Sequence, residues 1–246
     1  MFSYDAQREL LKGRIILVTG AGTGIGRDAA LSFAQYGATV ILLGRTLSSL
    51  ESVYDEIEKK QWPQAAIYPM DLLSASDTKY RQLVDTLAQE FGRLDGLLHN
   101  AAVMDELRPL VQTDTACWLK TFQVNLNAAF MMTRELLPLL RESDGSSVVF
   151  TTDSQHIGQA FSGAYGVSKK AVEVLMQTFS EEEEGISSVR FNCINPGKVN
   201  TTLRRSTYPG EVPESLLMPI GIMPLYLYLM GYDSKDISGS VLNAQD

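Results

Sequence analysis

The chain has 246 residues, 45% of them hydrophobic and 20% charged, a composition that excludes a disordered chain and suits one α/β domain. With 21 basic residues against 29 acidic ones the formal net charge is −8, which argues against nucleic acid as a partner, and no apolar stretch is long enough to span a bilayer. The two cysteines (Cys117 and Cys193) lie far apart in a core that needs no disulfide, and two histidines cannot make a His-rich metal site, so a cytoplasmic protein without a metal is expected.

Met1–Arg14 is polar and mixed in charge, unlike a signal peptide or anchor. Arg14–Val18 is an apolar, β-branched run and reads as a strand ending at Thr19-Gly20. Ile25, Ala29, Ala30, Phe33 and Ala34 then share one helical face, and Gly37 is a C-terminal glycine. Thr39–Leu43 is a second strand, Leu47–Lys60 a helix, Ala65–Met70 a strand, Asp77–Phe91 a helix and Gly96–His99 a strand. One long helix is predicted over roughly Asp114–Leu137, followed by a strand at Ser147–Thr152, a helix at Ala164–Phe179 and a strand at Ser188–Ile194. The acidic run Glu181–Glu184 reads as a solvated helix end. A last helix lies near Met223–Met230 and a last strand near Gly239–Asn243.

Strands apolar on both alternations, each followed by a helix, imply a parallel sheet covered on both faces. Right-handed crossovers make it doubly wound, and ligands in such sheets lie beyond the carboxyl ends of the strands. The informative residues should therefore follow strands. After the first strand comes Thr19-Gly20-Ala21-Gly22-Thr23-Gly24-Ile25-Gly26 and then a helix. Glycines allow positive φ and close backbone approach, and the helix N-terminus offers free N–H groups, so the segment suits a dinucleotide pyrophosphate. About twenty residues further on, where an acid would hold the ribose of NAD, stand Gly44-Arg45-Thr46. The Arg45 fork suits a phosphate, which points to NADP(H) in preference to NAD(H); the other reading of Arg45 is a plain surface arginine.

Tyr165-Gly166-Val167-Ser168-Lys169 opens a predicted helix, where positions i and i+4 share a face. A cation beside a phenol should lower its pKa and fit it for proton exchange with a carbonyl or alcohol oxygen. On these motifs together the chain resembles the short-chain dehydrogenase/reductase family in its classical single-domain form, in a bacterial oxidoreductase branch. The resemblance runs from Gly13 to Asn243. It implies a Rossmann-type, doubly wound parallel sheet of about seven strands in the order 3-2-1-4-5-6-7, in a single domain over 1–246. Asp71 matches the family's adenine-contacting acid, and His99-Asn100-Ala101-Ala102 matches its N-N-A-G segment. Asn125 matches the helix asparagine of a proton relay through water, and Asn195-Pro196-Gly197-Lys198-Val199-Asn200-Thr201 matches the segment beside the nicotinamide. The implied cofactor contacts are Gly20, Thr23, Gly24, Ile25, Gly26, Arg45, Asp71, Leu72, Asn100, Ala101, Tyr165, Lys169, Pro196, Gly197, Val199 and Thr201. The implied catalytic residues are Tyr165, Lys169 and Asn125.

The chain departs from the family pattern at His99, at Ala102 and at the serine that should hold the substrate oxygen. Anchoring on the end of the fifth strand puts Asp153 at the serine position; counting back from Tyr165 puts Thr152 there; Ser154 is the nearest serine. The strand anchor is preferred, since loops vary in length more than strand ends do. An ionised Asp153 would repel an oxyanion. It would have to be protonated, bind a donor on the substrate, or leave the role to Ser154 or Thr152; it could also be a turn residue capping its own backbone. A short substrate lid is expected near 202–218, with Leu203, Tyr208, Leu216, Leu217 and Met218 as an apolar wall and Arg204 and Arg205 as solvated side chains or anion ligands. The expected function is an NADP(H)-dependent carbonyl/alcohol oxidoreductase of small molecules, without membrane or nucleic-acid partners. The alternative is an NADP(H)-binding sensor or interaction protein that no longer turns over. Surplus apolar positions on the helices through Asn125–Leu137 and through Ala171, Val172, Val174, Leu175 and Met176 suggest a homodimer or homotetramer.

Overall fold

The computed structural model describes residues 1–105 and 107–245; Glu106 and Asp246, inside the expected domain, lie outside the described residues. Seven strands alternate with helices. β1 is Ile15–Thr19, β2 Thr39–Gly44, β3 Ala66–Pro69, β4 Gly96–His99, β5 Ser147–Thr151, β6 Arg190–Asn195 and β7 Ser240–Asn243. They form one sheet in the order β3-β2-β1-β4-β5-β6-β7, with every pairing parallel. This is the Rossmann-type order the resemblance implied. Leu17 sits between Ile41 and Leu97 in register.

Alternation along β1 divides the core. Ile16 and Val18 belong to the layer made with α1 (Gly24–Gln35), α2 (Leu47–Lys59) and α8 (Met223–Met230). Ile15 and Leu17 belong to the opposite layer, with α3 (Asp77–Phe91), α5 (Ala128–Arg141) and α6 (Gly163–Glu183). Both faces are covered, which is why the strands carry apolar residues on both alternations. All carboxyl ends lie on one edge, and the cleft opens there.

Two elements differ from expectation. The helix predicted as one piece over Asp114–Leu137 is three: α4 (Thr115–Phe122), a single π-helical turn at Gln123–Asn127, and α5, which runs through Pro138 to Arg141. Asp114 caps it, its Oδ1 accepting from Ala116 N at 2.6 Å. The wide turn is closed by Ala128 N donating to Gln123 O, and Asn125 is buried within it. A one-residue widening leaves the apolar pattern of the flanking turns intact, so periodicity does not reveal it. The acidic run is also only partly solvated. Glu183 is buried and accepts from Arg141 and from Ser187 Oγ at 2.7 Å, which extends α6 four residues past its predicted end.

Candidate active site

A cleft of about 330 Å³ runs along the carboxyl ends of β1, β2, β4 and β5, within the usual size of ligand sites, ~300–1,000 Å³. At one end is the glycine turn. Thr19 Oγ1 donates to Leu98 O and accepts from the backbone N–H of Asn100 and Ala101 at 3.0 and 3.1 Å, clamping the turn after β1 to the turn after β4. Gly20 takes φ +68°, and a Cβ on Gly26 would stand 2.3 Å from Gly20 O and 2.6 Å from Asn100 Nδ2. Only glycine lets α1 start this close to β1. Thr23 makes no side-chain cap, so the first N–H groups of α1 are left for a ligand.

Gly20, Thr23, Gly24 and Ile25 line this end of the cleft, while Gly26 supports it from behind. Arg45 stands exposed on the rim with no hydrogen bond or ion pair among the described residues. Asp71 and Leu72 form the wall after β3, where Asp71 Oδ1 accepts from Leu73 N at 3.1 Å. Asn100, Ala101, Pro196, Gly197, Val199 and Thr201 also face the cleft. A cradle that a Cβ would fill, open N–H groups and an unpaired guanidinium beyond them fit a phosphorylated dinucleotide.

Tyr165 and Lys169 meet at the other end, both buried. Lys169 Nζ donates to Thr151 O at 2.7 Å and lies 5.5 Å from the Tyr165 ring centre. The expected lowering of the phenol pKa is not what this geometry produces. Burial, then the charge and hydrogen bond of Asp153, hold the Tyr165 phenol well above its ordinary value, so it is a neutral donor. Burial brings Lys169 down to about 8, against the opposing pull of Asp153. Asn125 faces away from the cleft. Its Oδ1 accepts from Val103 N at 2.8 Å, and its Nδ2 donates to Val103 O at 3.0 Å and to Ser168 Oγ at 3.1 Å. Asn125 and Lys169 border a small void of about 10 Å³, the lower limit for a single water.

The three candidates for the serine position separate cleanly in space. Thr152 borders the cleft, but its hydroxyl points into the protein, donating to Glu173 Oε1 at 2.8 Å, and the residue is almost fully buried. Ser154 is exposed and accepts from Asn195 Nδ2 at 2.5 Å, outside the cleft lining. Asp153 lines the cleft, and the Tyr165 hydroxyl donates to its Oδ2 at 3.3 Å.

Two further residues complete this end, and neither was among the expected catalytic set. His156 is buried, with Nδ1 2.8 Å from Asp153 Oδ2 and Nε2 2.6 Å from the Tyr208 hydroxyl. The Nδ1 approach is oblique: the atoms are close, without the alignment of a ring N–H hydrogen bond. The His156 ring also stands edge-on to Tyr165 at 5.3 Å. The only trace of this in the sequence is the spacing of Asp153 and His156, three residues apart.

Tyr208 belongs to the segment after α7 (Thr202–Thr207). Leu203 and Tyr208 line the cleft, but Leu216, Leu217 and Met218 do not, so the apolar wall is shorter than expected. Arg204 is not a solvated side chain: its guanidinium donates twice to Glu211 at 2.7 Å and stacks 4.8 Å from the Tyr208 ring centre. Arg205 donates to Asn200 Oδ1 at 2.6 Å. His99 lies in the core, stacked on Phe150 and 2.8 Å from Thr133 Oγ1, and burial lowers its pKa to about 3, so it carries no charge.

Relatives agree with this architecture. Residues 14–211 match the family model for short chain dehydrogenases. The oxidoreductase YciK of Escherichia coli K12 is 45% identical over 243 residues, 98% of this chain and 96% of the relative. A short chain dehydrogenase of Pseudomonas syringae superimposes with a TM-score of 0.98 at 51% identity, covering 100% of both chains. One from Shigella flexneri, solved in complex with NADP, superimposes with a TM-score of 0.94 at 44% identity, covering 98% of this chain and 100% of the other. With the glycine turn, the Tyr165–Lys169 pair and the sheet order all present, the chain belongs to the short chain dehydrogenase family of oxidoreductases.

Proposed function

We propose that the protein is an NADP(H)-dependent oxidoreductase that interconverts a small-molecule carbonyl and the corresponding alcohol. The observation that carries this reading is one continuous cleft with the Gly20–Gly26 turn at one end and the buried Tyr165 hydroxyl at the other. The unpaired Arg45 fork on the rim, and the NADP complex of the Shigella flexneri relative, support the phosphorylated cofactor.

When bound, the reduced nicotinamide supplies the hydride. Tyr165 gives its proton to the carbonyl oxygen, a role suited to a phenol that burial keeps neutral. Lys169 sits one turn along α6, where its ammonium adds positive charge beside the phenol and can reach a ribose hydroxyl. The void between Lys169 and Asn125 is the place for a water that returns a proton from the interior side. The residues after β6 and the 202–218 lid close over the substrate end within one domain.

The test is oxidation of NADPH, followed by absorbance, across a panel of aldehydes and ketones. Turnover with at least one carbonyl supports the reading; none, with NADPH still bound, supports the sensor alternative. That alternative has one observation in its favour: Asp153 stands where a neutral hydroxyl would serve an oxyanion better.

The assembly is read as a homodimer or homotetramer. Phe130 on α5 and Val174 on α6 leave apolar surface exposed. Light scattering at micromolar concentration should exceed the 27.1 kDa of one chain. A cytoplasmic location accords with two free cysteines. Among the described residues no helix is long and apolar enough to cross a membrane.

A further inference from the structure

The substrate end of the cleft has a peculiar balance of donors and acceptors. The Tyr165 hydroxyl is the donor aimed into it, and it is buried beside the Asp153 carboxylate, 3.3 Å away. The neighbouring cations are engaged elsewhere: Lys169 with Thr151 O at 2.7 Å, Lys120 with Asp105 at 3.1 Å, and Arg204 with Glu211 at 2.7 Å. His156 Nε2 is taken by the Tyr208 hydroxyl at 2.6 Å. Thr152 and Ser154, the nearby hydroxyls on the loop after β5, are bonded away from the cleft.

A plain ketone is poorly served here. Its oxygen accepts one bond from Tyr165, and as negative charge develops the adjacent carboxylate repels it. A ketone with a donor of its own on the next carbon is served well. Two heteroatoms on neighbouring carbons stand about one hydrogen-bond length apart when gauche, the spacing that separates Tyr165 Oη from Asp153 Oδ2. One heteroatom can therefore face the phenol while the other faces the carboxylate. An ammonium, with three N–H donors, can also turn one of them toward the carbonyl oxygen and polarise it from the substrate's side, whereas a hydroxyl spends its single O–H on the carboxylate.

We infer that the preferred substrate is a carbonyl compound bearing an ammonium or hydroxyl group on the adjacent carbon, held by the Asp153 carboxylate, with a vicinal amino alcohol or diol as the reduced partner. This rests on the oxidoreductase reading above. In the reaction the carbonyl carbon receives a hydride, with its electron pair, from a reduced nicotinamide. The C=O π pair takes the proton of Tyr165, giving CH–OH. The substrate's own N–H or O–H bond is not broken. Asp153 is a specificity residue in this scheme, and His156 is a positioning residue that holds it against the lid.

Three probes of matched size test it: acetophenone, 2-hydroxy-1-phenylethanone and 2-amino-1-phenylethanone, assayed with NADPH on the wild type, Asp153→Ser and Asp153→Asn. In the wild type the hydroxyl and ammonium ketones should exceed acetophenone in kcat/KM by about tenfold or more, the scale of one charge-assisted bond. An ammonium advantage well above the hydroxyl one marks charge as the recognised feature; equal advantages mark the hydrogen bond. Both variants should lose the preference, and Asp153→Ser should raise turnover of acetophenone. Equal turnover of the three ketones by the wild type, or a preference that survives in both variants, would overturn the inference. Calorimetric binding of 2-amino-1-phenylethanol against 1-phenylethanol, with NADP⁺ present, gives a readout without turnover. If no ketone is reduced, the oxidoreductase reading fails and binding alone decides: tighter binding of the amino alcohol, lost in Asp153→Asn, sustains the Asp153 site, and equal binding refutes it.

Discussion

At the Gly20–Gly26 end the cleft is made of backbone: a turn with φ +68° at Gly20, the start of α1, and threonine-clamped N–H groups after β4. At the Tyr165 end it is made of side chains from three separate segments, with Asp153 and His156 from the loop after β5, Tyr165 and Lys169 from α6, and Tyr208 from the lid. Backbone N–H groups at a helix start suit a pyrophosphate, the part every dinucleotide has in common, and most side-chain substitutions leave them in place. The second end can be retuned one residue at a time, and in this chain it carries the Asp153 carboxyl 3.3 Å from the Tyr165 hydroxyl. On the proposed reading, cofactor and substrate recognition are separable in this cleft.

The separation can be broken most forcefully at the phenol. Tyr165→Phe should lower kcat by about 10²–10⁴, the range for losing a positioned proton donor, measured by NADPH oxidation with the best carbonyl of a panel. At the other end Gly26→Ala forces a Cβ to within 2.3 Å of Gly20 O. It should destabilise the fold by about 1–3 kcal/mol, seen as a lower Tm, and weaken cofactor binding without altering substrate preference.

The pH profile sharpens the picture of the substrate end. Lys169 has its pKa lowered to about 8, so it is charged below that value and loses its proton as pH rises through it. Tyr165 is raised well above its ordinary value and stays protonated over the same range. Reductive kcat/KM should therefore be level below pH 8 and fall above it, by about tenfold per unit for one proton. Asp153 supports the Lys169 charge, so Asp153→Asn should move the limb to lower pH. The smallest effect expected is at the lid. Tyr208→Phe removes the 2.6 Å contact with His156, worth about 1 kcal/mol, and should raise KM about fivefold with kcat little changed.

How much of this was legible in the sequence follows the same division. The strands, the glycine turn and the Tyr165–Lys169 pair rest on local patterns (β-branched runs, glycines at fixed offsets, an i,i+4 spacing), while the strand order came with the family resemblance that those motifs carry. The strand-end argument pointed to Asp153; that residue and Thr152 both border the cleft, but the Thr152 hydroxyl is bonded to Glu173, and Ser154 lies outside the lining. Tyr208 was expected in the lid wall, but its contact with His156 was not legible, because it joins residues 52 apart on two irregular segments. Arg204 was misjudged for a related reason: its partner Glu211 is brought beside it only when the lid folds back after α7. The direction of the Tyr165 shift was misread as well. A cation four residues away is visible in sequence, whereas burial, the largest cause of the shift, is not.

The central claim, that the two ends do separate jobs, is tested most directly by calorimetric titration of NADPH and NADH into the wild type, Arg45→Ala and Tyr165→Phe. The account predicts tighter NADPH than NADH binding by the wild type. Arg45→Ala should weaken NADPH binding by about 1.5–3 kcal/mol, tenfold or more, and leave NADH unchanged, while Tyr165→Phe should keep NADPH affinity within about twofold, below the ~1 kcal/mol of one ordinary hydrogen bond. Equal affinities of the wild type for the two cofactors, or a loss in Tyr165→Phe as large as that in Arg45→Ala, would contradict it.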